Sequence, residues 1–139
     1  MDLKHYNETN RIFYIDVVTH ELKKLFNNDK FNEKKYNEWL DLKLKLLDAT
    51  DLQTLLAESP GVFEKLSGQR KTPLYSIRNT KITGNIRVVF STYNLGDEEV
   101  IIVLTTAFKE KSKSDYREGV DRAENRLKNV PALIDKIID

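Results

Sequence analysis

A chain of 139 residues, 40% hydrophobic and 32% charged, has the size and composition of one soluble folded domain, neither disordered nor membrane-embedded. With no cysteine it carries no disulfide scaffold, thiolate metal site, cysteine nucleophile or thiol redox chemistry, and its two histidines, His5 and His20, make a His-rich metal centre unexpected. The formal net charge of +1 hides a segregation, because Lys65 to Arg117 holds 10 basic and 5 acidic residues while the remainder holds 13 basic and 17 acidic. Such asymmetry points to a polyanion-facing segment on a neutral-to-acidic scaffold. No apolar run approaches the roughly 20 residues of a spanning helix, and MDLKHYNETNR lacks the apolar stretch of a signal peptide. A cytoplasmic protein with no membrane partner is expected.

Residues 12 to 18, IFYIDVV, are dense in β-branched and aromatic side chains and read as an opening strand, or as the start of a helix running on into HELKKLF. From Phe31 to Leu47 the set Tyr36, Trp39, Leu40, Leu44 and Leu47 recurs at three- and four-residue spacing, which predicts an amphipathic helix. DLQTLLAE follows as a short helix, with Asp51 or Thr50 as N-cap and Ser59-Pro60-Gly61 as its stop. The period then changes. LYSIR (74 to 78), NIRVVFSTY (85 to 93) and EVIIVLTTAF (99 to 108) predict an antiparallel meander, separated by a loop containing Gly84 and a turn at Asn94-Leu95-Gly96-Asp97. From Ser114 the positions Tyr116, Val120, Ala123 and Leu127 return to helical spacing, capped by Ser112 or Ser114 and broken at Asn129-Val130-Pro131. The final PALIDKIID is a short amphipathic tail expected to pack on the core. Helices placed beside rather than between strands predict a single domain, 1 to 139, of the α+β class.

No His/carboxylate pair stands at ligand spacing, and the P-loop, dinucleotide and nucleophile-elbow patterns are absent, so neither metal nor cofactor is expected. The remaining chemistry is cationic. Arg78 ends one predicted strand and Arg87 opens the next, so a hairpin brings two guanidinium groups to one end of the sheet, an arrangement suited to a phosphate. Lys109, Lys111 and Lys113 alternate with Glu110, Ser112 and Ser114, and in an extended chain they share one face at roughly 6.6 Å intervals. They lead into a helix N-terminus that is itself an anion site, with Tyr116 and Arg117 in its first turn. Lys65, Arg70 and Lys71 complete the basic set.

Taken in order, FEKLSG (63 to 68), LYSIR, NIRVVF (85 to 90), the valine-rich strand, FKEKSKSDY (108 to 116) and the helix REGVDRAENRL resemble the RelE/ParE superfamily of bacterial toxin–antitoxin toxins, closest to its phage-derived HigB-like branch. The similarity covers about residues 62 to 128. It implies a small sheet of about four strands, antiparallel or mixed, with N-terminal helices on one face, a C-terminal helix, and a concave basic surface on the other face. It also implies a metal-independent mRNA endoribonuclease, usually ribosome-dependent, in which the ribose 2′-OH attacks the adjacent phosphate. By the same resemblance Arg87 stabilises the phosphate in the transition state, Arg78 supports it, Lys111 is a candidate base and Tyr116 a candidate proton donor. Lys65, Arg70, Lys71, Lys109, Lys113 and Arg117 would bind RNA. Replacement of Arg87 by alanine is then expected to abolish activity with folding nearly unchanged. The implied partners are mRNA, the ribosome and a helix-turn-helix antitoxin.

The chain departs from the branch at Ile86, where an aromatic precedes the strand arginine, at Ser76, where an acid is usual, and in lacking a C-terminal-half histidine. A different acid and base follow. Two other readings remain open: a non-enzymatic ParE-like toxin that inhibits DNA gyrase, and an RNA-binding module without catalysis, similar to a double-stranded RNA-binding domain.

Overall fold

The structure, a computed structural model, describes residues 1–96 and 99–138. In chain order its elements are β1 (Leu3–His5), β2 (Ile12–Ile15), α1 (Val17–Leu25), α2 (Lys30–Ala49), α3 (Leu52–Glu58), β3 (Phe63–Lys65), β4 (Tyr75–Asn79), β5 (Ile86–Asn94), β6 (Val100–Lys109), α4 (Lys113–Leu127) and α5 (Val130–Ile138). No helix among the described residues is long and apolar enough to cross a membrane.

The predicted meander forms as β4, β5 and β6, and the Leu95 amide closes the last hairpin onto the Glu99 carbonyl at 2.8 Å. Asp97 of the predicted turn lies outside the described residues. The sheet is larger than expected, with six strands in the order β1-β2-β6-β5-β4-β3 rather than about four. The two unexpected members, β1 and β3, have three residues each, too few to show an alternating pattern. Among the described residues only β2 and β6 run parallel, which makes the sheet mixed within the α+β class.

The opening strand is also shorter than its apolar run. It stops at Ile15, and Val17 begins α1, because the chain must leave the sheet to carry α2 and α3 over to the far edge. Asp29 and Asp51 cap those two helices by accepting the Asn32 and Thr54 amides, each at 3.2 Å. The inner faces of α2 and α3 (Tyr36, Leu40, Leu44, Leu47, Leu55) pack in one core with Tyr75, Ile77, Ile86, Val88 and Phe90. Val89 and Phe108 alternate to the opposite face, where Val120 and Ala123 of α4 cover them with Leu66 and Leu74. Both faces of the sheet therefore carry helices, which corrects the expectation of an uncovered basic face. The terminal tail is α5, with Val130, Leu133 and Ile134 buried.

A β-bulge shapes the middle of β6. Val89 pairs with Thr106 but Phe90 with Leu104, so Thr105 is the extra residue. Past the end of β2 this stretch has no strand neighbour on that side, and side chains take the polar groups left there. Glu21 of α1 accepts the Ala107 amide at 3.2 Å, and Arg126 of α4 donates to the Thr105 carbonyl at 2.9 Å. Arg126 also grips Glu21 with two bonds of 2.7 and 3.1 Å, and Arg122 adds a contact of 2.9 Å. One carboxylate thus joins α1, β6 and α4.

On the other side of the molecule the Tyr6 hydroxyl donates to Asp41 at 2.5 Å, and Lys45 pairs with both Asp41 and Glu8 at 3.0 Å. The Tyr6 bond, then Lys45, hold the Asp41 carboxyl below its usual 3.8. A depressed carboxyl stabilises the fold above the unfolded value and loses that contribution as pH falls through the folded one. Tyr6→Phe removes the larger cause, so its acid-induced loss of stability should be shallower than that of the wild type in urea titrations across the carboxylate range.

Helix α4 approaches β6 closely at Gly119, where a Cβ would overlap the Phe108 ring. Gly119→Ala should lower stability by about 1–3 kcal/mol through that overlap, despite alanine's better helix propensity, as read from the urea midpoint.

Candidate functional site

In the β4–β5 ladder Arg78 lies directly opposite Arg87, which places both guanidinium groups on the α4 face of the sheet. Like charges in that relation repel, and Arg87 is also buried, with 7% of its side chain exposed. The surrounding residues resolve both problems.

Glu64 of β3, opposite Ser76, shares the face, and its two oxygens accept from Arg78 Nη1 at 3.3 Å and Arg87 Nη1 at 3.5 Å. Glu110, just past β6, accepts from Arg87 Nε and from Asn85 Nδ2, each at 3.0 Å. Asn85 in turn accepts from Arg78 Nε at 2.8 Å. The five side chains close a ring, Arg78–Asn85–Glu110–Arg87–Glu64, containing two cations and two carboxylates. Ser76, at the position where the resembled motif has an acid, accepts a further bond from Arg87 Nη1 at 3.0 Å. The Tyr116 ring lies 5.3 Å from Arg87 Cζ, a cation–π contact that fixes the guanidinium from the α4 side.

Glu110 forms the edge between this ring and a cleft of about 660 Å³. Arg70, Lys111, Lys113, Tyr116 and Arg117 also line it, together with Asp121 and Glu124. Among the described residues Lys111, Lys113 and Arg117 make no ion pair and are exposed, so their charges face the solvent-filled cleft. Arg70 differs. It is held by Glu124 at 2.6 Å and by the Ser67 carbonyl at 2.8 Å, and it ties the β3–β4 loop to α4.

Several expected placements change. The three lysines do not form one extended row, because β6 ends at Lys109 and α4 begins at Lys113. Lys109 stands opposite Ile86 on the other face, with its Cε packed near Gly84. Lys65 pairs with Tyr75, on the face away from Glu64, and is exposed, as is Lys71, and neither lines the cleft. The α4 N-terminus is not an open anion site either. Ser112 Oγ accepts the Asp115 amide at 3.3 Å, and the Asp115 carboxylate accepts the Lys111 amide at 2.9 Å, so a carboxylate of the chain already faces the helix dipole.

Of the predicted site residues, the cations Arg78, Arg87, Lys111, Lys113 and Arg117 and the aromatic Tyr116 gather around one locus, whereas Glu64, Glu110, Asn85 and Ser76 were not among those predicted. The signal available was electrostatic: two opposed strand arginines need acids, and Glu110 sits one residue beyond β6. Among the described residues no group of three or more His, Asp or Glu side chains is placed to hold a metal ion.

The buried position of Arg87 overturns the expectation that its replacement by alanine spares the fold. Arg87→Ala leaves Glu64 and Glu110 facing each other without their shared cation, and should cost about 3–5 kcal/mol. Arg78→Ala, at a side chain 32% exposed, should cost about 1 kcal/mol or less. Paired urea denaturation of the two variants reads the difference. Comparison with protein-family models, with curated proteins and with solved structures found no match for this chain.

Proposed function

We propose that the chain is a metal-independent endoribonuclease acting on mRNA, the toxin of a bacterial toxin–antitoxin pair, as its resemblance to the HigB-like branch implies. The observation that carries the reading is the cross-strand Arg78–Arg87 pair, contacted by Tyr116 and opening through Glu110 onto a cleft with three outward cations.

Strand cleavage by the 2′-OH joins O2′ to phosphorus and releases O5′, which needs a proton acceptor, charge stabilisation on the phosphate and a proton donor. Each requirement has a candidate. Lys111, Lys113 and Arg117 attract the backbone and hold flanking phosphates. The scissile phosphate takes the Arg87 donor now held by Glu110, and the released Glu110 carboxylate receives the 2′-OH proton. Tyr116, against the same guanidinium, supplies the proton to O5′. Lys111, the base suggested by the motif, is exposed in the cleft and serves better as a phosphate ligand. Ribosome-bound mRNA as substrate and a helix-turn-helix antitoxin as partner belong to the same proposal.

A second reading, RNA binding without catalysis, is favoured by the closed ring, since Arg87 Nε and Nη1 there already meet protein acceptors. The two separate in one experiment: induced expression of wild type, Arg87→Lys and Glu110→Gln in a bacterial host, with growth and mRNA 5′ ends followed together. Wild-type arrest with new 5′ ends, reduced about 10²–10³-fold in both variants, supports the nuclease. RNA retention with no new ends supports the binding reading, and absence of both overturns the proposal.

A further inference from the structure

The cleft beside the arginine ring carries opposite charges at its two ends. Its cations, Lys111, Lys113 and Arg117, gather where β6 gives way to α4, and Asp121 and Glu124 lie one and two turns past Arg117 along the helix. Tyr116 and Val120 supply apolar surface to the same cleft, whose volume of about 660 Å³ is that of a site for one small ligand or one unit of a polymer. Three carboxylates line it, and cations answer two of them: Glu110 meets Arg87 at 3.0 Å and Glu124 meets Arg70 at 2.6 Å. Asp121 differs. It is exposed on the rim, and among the described residues its carboxylate meets no cation, although Arg117 stands four residues before it at the spacing of a helical ion pair. A free carboxylate in a cleft for a polyanion weakens binding unless the ligand brings hydrogen-bond donors to it.

We propose that Asp121 selects the base: a single-stranded RNA sets one phosphate on Lys113 and Arg117, lays the attached base along Tyr116 and Val120, and presents a guanine edge to Asp121. The assignment rests on the reading of the chain as an RNA-directed protein and adds the base that its cleft takes. The spacing suits one nucleotide, since α4 rises about 6 Å from Arg117 to Asp121 and about 12 Å from Lys113, a span that phosphate, ribose and base fill together. Guanine follows from the chemistry of the acceptor. An ionised carboxylate only accepts, through two oxygens side by side. On its Watson–Crick edge guanine offers two adjacent donors, N1–H and the N2 amino group. Adenine, cytosine and uracil each set an acceptor beside their donor, and its lone pair faces the second carboxylate oxygen, which repels it. Glu124 is less free to read a base, because Arg70 already holds it.

The test measures binding, which is independent of cleavage. Short fluorescent single-stranded RNAs, identical except for one central base, are titrated with the full chain and followed by anisotropy at fixed salt. The guanine oligonucleotide should bind about 10-fold tighter than its adenine, cytosine and uracil counterparts. Inosine, which keeps N1–H but lacks the N2 amino group, should fall between. Asp121→Asn turns one acceptor into a donor and should bring all of them within about twofold of one another, with unchanged circular dichroism. Lys113→Ala should weaken every oligonucleotide by the same factor, as a phosphate ligand does. Binding without a guanine preference overturns the assignment and leaves the RNA reading standing. A preference that persists in Asp121→Asn does the same, including the case in which that variant binds all the oligonucleotides more tightly and in the same order. Failure to bind any of them overturns the assignment and the RNA reading together.

Discussion

Burying Arg87 is the constraint around which this molecule is organised. A guanidinium with 7% of its side chain exposed cannot remain without acceptors, and the opposing Arg78 doubles the charge to be answered. The acceptors come from two distant places in the chain. Glu64 arrives on β3 at the far edge of the sheet, and Glu110 arrives from the turn that starts the return across it as α4. Satisfying one side chain therefore positions an edge strand, a loop and the first turn of a helix. Tyr116 completes the enclosure, and the cleft lies beside it because the first turn of α4 is held at that point.

A second polar junction acts on the other half of α4. The bulge at Thr105 interrupts β6 beyond the reach of β2, and Glu21, Arg122 and Arg126 convert the exposed backbone groups into a three-element lock. With Gly119 pressed on Phe108 between the two junctions, α4 is pinned at both ends and in contact at its middle. Helix orientation over this face is thus set by hydrogen-bonded charge at least as much as by the small apolar patch of Leu66, Leu74, Val89, Phe108, Val120 and Ala123.

The same arrangement gives the proposed site its character. Its free cations, Lys111, Lys113 and Arg117, sit on the rim, while the arginines best shaped for phosphate lie inside a neutral ring. A polyanion would meet the rim first and reach Arg87 by exchange with Glu110. On the opposite side α2 presents hydrophobic surface, Phe31, Leu42 and Leu46, that the domain itself leaves uncovered.

The elements with enough length to repeat a pattern were legible in the sequence. The 20-residue α2, the β4–β5–β6 meander and α4 with its Ser112 cap follow from periodicity and capping that depend only on neighbouring residues. The α+β class follows from their order. What local pattern could not carry was decided by contacts distant in sequence: β1 and β3 are strands only because β2 and β4 offer them edges, and the IFYI run ends where the chain must leave the sheet. The same division runs through the site. Hairpin logic alone brought Arg78 and Arg87 together, because strand alternation is a local property. Their engagement by Glu64 and Glu110, which lie 23 residues to either side of Arg87, required the folded chain, since the partner of a buried charge is whichever acid the tertiary structure delivers to it.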